Sequence, residues 1–98
     1  MRKDTNRVIG ALLRRLRKQA GLSQREVALR YGAPQSFVSK IELGDRSLAL
    51  SETLAYAKAL GMNDEKVYHE VHRVLVAYAK RMQEVDQQQP QRVNRQPE

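Results

Sequence analysis

Between Ser23 and Gly44 the sequence encodes two helices of about two turns each with almost no chain to join them, and no other feature limits the fold as tightly. Ser23 and Glu26 stand at capping-box spacing, Val27, Ala28 and Tyr31 share one face, and Gly32 ends the segment. Pro34 presets the first turn of a second segment whose apolar positions are Phe37, Val38 and Ile41 and whose stop is Gly44. Pro34 also disfavours helical geometry at Ala33, and Gly32 admits the positive φ of a tight turn. Helices this short do not hold alone in water. The two must therefore be pressed together and onto other elements, and the small side chain of Ala28 marks where they approach.

The flanking sequence supplies those elements. A cap at Thr5 or Asn6 opens a helix with Val8, Ile9, Leu12, Leu13 and Leu16 at helical spacing, basic residues on its other faces, and Gly21 as its stop. After Gly44, a fourth helix is expected from Ala49 or Ser51 to Leu60, with Leu50, Leu54, Ala57 and Leu60 as its apolar face and Gly61 closing it. A longer fifth helix, capped by Asn63 or Asp64, runs to about Val85. Its stripe of Val67, Val71, Val74, Tyr78, Met82 and Val85 is widened by Tyr68, Leu75 and Ala79, a breadth that suits packing on the domain and on a second copy of the chain. No segment has strand alternation. The reading is an all-α, compact five-helix domain: residues 1–62 hold the paired short helices (24–43), residues 63–86 form a C-terminal helix for dimerisation, and the Gln-, Pro- and Arg-rich stretch 87–98 is a disordered tail.

Charge narrows the function. The chain carries a formal +7, and the excess lies wholly before Ser47, where eleven basic residues face four acidic ones. An anionic partner such as nucleic acid follows from this as readily as a merely solvated surface does. The lack of Cys excludes a disulfide framework, a Cys-based zinc site and a thiol nucleophile. No apolar run approaches the roughly 20 residues of a membrane span, and no signal-peptide core follows Met1 to Arg7, so a cytoplasmic protein without membrane contact is expected.

Two short helices around a Gly-containing turn are the geometric signature of a helix-turn-helix, whose second helix enters the major groove of DNA. The run from Leu22-Ser23-Gln24 to Val38-Ser39-Lys40-Ile41-Glu42-Leu43-Gly44 resembles the lambda Cro and phage-repressor (XRE-like) helix-turn-helix family. Leu13-Arg14-Arg15-Leu16-Arg17 and Ala20-Gly21-Leu22 upstream, and Leu54, Ala57, Ala59, Leu60 and Gly61 downstream, extend the resemblance over about Val8 to Met62. The resemblance implies a phosphate contact at Gln24 and base-reading positions at Gln35, Ser36, Ser39 and Lys40. Gln35 is the foremost reader, because a carboxamide pairs bidentately with adenine. It further implies phosphate contacts from Arg46, Arg14 and Lys18, and a structural pair between Arg17 and Glu42. Phe37 has two roles open to it, an edge of the core or an apolar contact to a thymine methyl and the DNA backbone, with partial burial the expectation. Arg2, Lys3 and Arg7 offer a flexible arm along the duplex, although terminal basic residues are often only solvated. Pro34 stands where the family often has a capping Ser or Thr.

Other classes fit less well. An enzyme would need chemistry that two histidines, no cysteine and no Gly-rich phosphate loop do not offer. His69 and His72, with Glu65 or Glu70 nearby, are expected to bind no metal, and no cofactor is implied. An antitoxin or adaptor whose C-terminal helix binds another protein is the alternative. The expected partners are double-stranded DNA and a second copy of the chain, meeting through Val67, Val71, Val74, Tyr78 and Met82. The expected action is transcriptional control, in the form of repression at a pseudo-palindromic operator.

Overall fold

The computed structural model describes residues 2–87, so the expected tail lies outside the described residues. Five helices follow one another: α1 (Arg2–Gln19), α2 (Gln24–Tyr31), α3 (Gln35–Leu43), α4 (Leu50–Leu60) and α5 (Asp64–Gln87). No strand occurs among the described residues. The chain is all-α, as the periodicity requires.

Local chemistry explains most boundaries. Ser23 Oγ accepts from the Glu26 amide at 3.0 Å, and the Glu26 carboxylate accepts from the Ser23 amide at 2.8 Å, which closes the capping box of α2. Gly32 takes φ +91° and its amide donates to the Ala28 carbonyl, turning the chain within three residues. Pro34 caps α3 without a side-chain hydrogen bond, so the hydroxyl it replaces is indeed missing. Asn63 Oδ1 accepts from the amides of Glu65 and Lys66 and starts α5.

The core is formed by Leu12, Leu13 and Leu16 of α1, Val27 and Ala28 of α2, Val38 and Ile41 of α3, Tyr56, Ala57, Ala59 and Leu60 of α4, and Val67 of α5. Two expectations change. The α1 helix starts at Arg2 rather than Thr5 or Asn6, which places the backbone of Arg2, Lys3 and Arg7 in a helix instead of an extended arm. The reason is tertiary: α5 runs back along α1, with Tyr78 beside Asp4 near one end and Glu70 beside Arg15 toward the other, so packing holds turns that the capping signal would have cut off. In α4, Leu50 and Leu54 are 73% and 40% exposed, while Tyr56 is wholly buried. Here α4 meets α2 through its C-terminal half, where Arg30 Nη1 donates to the Ala59 carbonyl at 3.2 Å. Ala57 and Leu60 are buried as expected, and the buried face continues through Tyr56 and Ala59 instead of Leu50 and Leu54.

Burial raises the Tyr56 hydroxyl well above the usual phenol range, and that hydroxyl has no hydrogen-bond partner among the described residues. An unpaired buried hydroxyl costs rather than contributes. Tyr56→Phe is thus expected to leave stability unchanged or raise it by up to about 1 kcal/mol in denaturant unfolding. A loss larger than that would mean the hydroxyl is satisfied in solution.

Candidate nucleic-acid interface

The site begins with a buried charge pair. Arg17 and Glu42 are 7% and 8% exposed, and they meet in a fork, Nε to Oε2 at 2.6 Å and Nη2 to Oε1 at 3.1 Å. Arg17 Nη1 also donates to the Leu22 carbonyl at 2.8 Å, which ties the α1–α2 connection to the same point. The hydrogen bond to Glu42 raises the Arg17 pKa, so the guanidinium stays charged despite its burial. This is the structural pair that the sequence resemblance implies.

The pair is the root of a chain of hydrogen bonds. Gln24 Nε2, at the start of α2, donates to Glu42 Oε1 at 2.9 Å, and Gln35 Nε2, at the start of α3, donates to Gln24 Oε1 at 3.3 Å. Both ends of the Gln24 carboxamide are thus engaged inside the protein, a use that reading Gln24 as a phosphate contact did not foresee. The exposed Gln35 amide is held by a relay that ends on a buried ion pair. Its carbonyl oxygen takes no part in that bond.

Along α3, Val38 and Ile41 point into the core, Gln35, Ser36 and Lys40 are exposed, and Ser39 is half-buried. Phe37 is half-buried too, its ring centroid 4.7 Å from that of Tyr31, with the Arg46 guanidinium 4.7 Å above it. Partial burial is therefore its observed state. Arg46 is equally occupied, since Nη1 and Nη2 meet the Glu52 carboxylate at 3.1 and 2.9 Å and Nη1 donates to the Ser47 carbonyl at 2.8 Å. Glu52 also accepts from the Ala49 amide at the start of α4. Arg46 and that amide together hold the Glu52 carboxyl down at about 2. A carboxylate whose pKa is depressed on folding stabilises the fold above its unfolded value, near 4.5, and loses that contribution as pH falls toward 2. An NMR titration of the Glu52 side chain should accordingly show its midpoint near 2, and Arg46→Ala should move it up toward the ordinary range.

Arg14 and Lys18 are exposed on α1, with Arg14 one turn from Arg17 and so beside the α1–α3 contact. Arg7 packs on the Gly44 turn that closes α3. Of the α5 stripe, Val67 is wholly buried and belongs to the core, Val71 and Val74 pack on the core half-buried, and Tyr78 is half-buried beside Asp4. Met82 and Val85 are each 39% exposed. The same domain thus covers much of the face that the pattern left open for a twin. Among the described residues no cluster of His, Asp and Glu could hold a metal ion, and no helix is long and apolar enough to cross a membrane.

One residue that sequence reasoning passed over shapes the interface from behind. Gly10 is buried in mid-α1, where an added Cβ would overlap the carbonyl oxygens of Ile41 and Glu42. Its absent side chain lets the end of α3 lie directly on α1, which brings Glu42 within reach of Arg17. An isolated glycine inside a helical pattern was the available signal.

A short α3, locked to α2 by a positive-φ turn and to α1 by a buried ion pair, with an oriented amide and a lysine on its open face, defines a DNA-binding helix-turn-helix protein of the transcription-regulator class. The comparisons with known proteins agree. Residues 8–69 match the helix-turn-helix domain family, and the chain belongs to that family, in its XRE-like branch. It is similar to an uncharacterised HTH-type transcriptional regulator, y4dJ, of Sinorhizobium fredii, at 35% identity over 60 residues that cover 61% of this chain and 78% of the relative. Among solved structures it resembles the restriction-modification controller protein C.AhdI from Aeromonas hydrophila (TM-score 0.59, 34% identity, 63% of this chain and 94% of that one). An XRE-family-like protein from Pseudomonas syringae aligns with TM-score 0.63 and 31% identity over 71% of this chain and 85% of its own.

Proposed function

We propose that this protein is a cytoplasmic, non-enzymatic, sequence-specific regulator that represses transcription by occupying a pseudo-palindromic operator as a homodimer. The observation that carries the reading is the relay from Arg17 and Glu42 through Gln24 to Gln35. It fixes the rotamer of an exposed carboxamide at the first turn of α3 before any DNA arrives, and a pre-oriented amide is what bidentate adenine recognition needs. Ser36, Ser39 and Lys40 extend the reading face, and Lys40 also serves as a phosphate contact. Arg14, Lys18 and the amides at the start of α2 set the register on the backbone. Arg46 and Phe37 contribute through the loop they brace more than through a free cation.

The dimer follows from geometry, because one α3 reads only a few base pairs and two half-sites about one helical turn apart restore specificity. With Val67 committed to the core, the twin is assigned to the flank of α5 that carries Met82 and Val85. In this arrangement residues 1–62 bind DNA and residues 63–86 join the copies.

Selection of bound sequences from random DNA, run on the wild type and Gln35→Ala, tests both halves of the proposal. The wild type should enrich two inverted half-sites. Gln35→Ala should lose preference at one base pair of each half-site and bind about 1–3 kcal/mol more weakly. No enriched motif would overturn the sequence-specific reading, and a single half-site would overturn the dimer.

A further inference from the structure

Arg15 lies two residues from Arg17 and so on the opposite side of α1, away from α3. There α1 and α5 border a valley of about 490 Å³, lined by Val8, Ala11, Leu12 and Arg15 from one helix and by Arg73, Val74, Ala77, Tyr78 and Arg81 from the other. We propose that this valley is a docking site for an acidic amphipathic helix of a partner protein, a role independent of the DNA-reading face.

Three observations select that occupant. The floor is apolar and low, because Ala11 and Ala77 are exposed yet carry single methyl groups, and Val8, Val74 and Tyr78 beside them are only half-buried. Small side chains facing each other across two antiparallel helices let a third backbone come close, which a run of long side chains would prevent. The rim is cationic on both sides. Among the described residues, no carboxylate forms an ion pair with Arg15 or Arg81. The nearby acids are Glu70, which holds Arg73 through Oε1 at 2.7 Å, Asp4 beside Tyr78 at the far end, and Glu84 one turn beyond Arg81 on α5. Arg15 and Arg81, one on each rim, are thus left without an ion pair, and an acidic partner complements them. The length also fits, since Glu70 to Arg81 spans about 16 Å along α5, room for about three turns of helix. A DNA backbone would meet the same cations but would gain nothing from the apolar floor, and so the floor decides between the two.

The probe is a fluorescein-labelled synthetic helix of about 15 residues, with Leu and Ala along one face and Glu on its flanks, titrated with the full chain and read by anisotropy. Saturable binding is expected, weakened about tenfold or more by Arg15→Ala combined with Arg81→Ala, and by Ala77→Glu. Gln35→Ala and Lys40→Ala should leave it unchanged. Both arginines are exposed and Ala77 faces solvent, so circular dichroism should report an intact fold in each variant. The proposal fails if no saturable binding is seen or if the arginine variant binds as well as the wild type. It fails equally if a peptide of the same composition broken by two prolines binds as tightly, or if the arginine variant loses DNA affinity instead, which would make the rim a phosphate contact.

Discussion

Replacing Glu42 by Ala should destabilise the domain by about 3–5 kcal/mol, a large part of what holds a chain of this size folded. The cost arises less from the lost bonds than from what they leave behind. Arg17, 7% exposed in the intact domain, would be left with a charge it cannot shed, and Gln24 would lose the acceptor for its amide. Glu42→Gln is the sharper variant. It keeps the shape and an oxygen for Gln24 but removes the countercharge, so it should recover only a minor part of the loss. A double replacement, Arg17→Met with Glu42→Leu, removes both charges and should cost less than either Arg17→Ala or Glu42→Ala alone, because no buried charge is stranded. Denaturant unfolding of the four variants measures this directly. If the single variants lose under about 1 kcal/mol, the pair is hydrated in solution and the relay to Gln35 has no fixed root.

The relay also separates stability from recognition. Gln24→Ala leaves the ion pair in place but releases Gln35, so its effect should fall on sequence preference more than on folding. The family resemblance assigned Gln24 to a phosphate and Gln35 to a base, eleven positions apart. That the two side chains touch follows only once the Gly32 turn folds α3 back on α2. Local signals were legible because their causes are local: the Ser23 and Glu26 box, the stops at Gly21, Gly32, Gly44 and Gly61, and the Asn63 cap all act within a few residues. What escaped was set by packing. Periodicity could name Leu50, Leu54, Ala57 and Leu60 as apolar, yet which face of α4 meets α2 depends on the crossing, and Tyr56 took the buried place. The α5 stripe was read as packing on the domain by one edge and on a second copy by the other, without a division between the two. It could not be seen that α1, by starting at Arg2, extends far enough to set Asp4 beside Tyr78, or that Val74 packs on the core.

Gly10 is the residue where that distinction has its largest consequence, because local and tertiary reasoning give opposite signs. In an exposed helix, Gly→Ala raises stability by about 0.5–1 kcal/mol, since glycine carries the greater entropy cost of ordering. At Gly10 the added methyl would meet the main-chain oxygens of Ile41 and Glu42, which cannot rotate aside as a side chain can. The Ile41 carbonyl also accepts the Gly44 amide at 3.1 Å, so moving it disturbs the cap that ends α3. Relief therefore requires α1 and α3 to separate, and separation lengthens the bonds between Arg17 and Glu42. Gly10→Ala is expected to lower stability by about 1–3 kcal/mol, and Gly10→Val by more. Chemical denaturation of both, beside Ala11→Gly on the exposed face of the same helix as a measure of intrinsic propensity, reads the sign without ambiguity. A neutral or stabilising Gly10→Ala would show that α1 and α3 do not lie this close. The placement of α3, on which the reading face depends, would then have to be sought in the Gly32 turn alone.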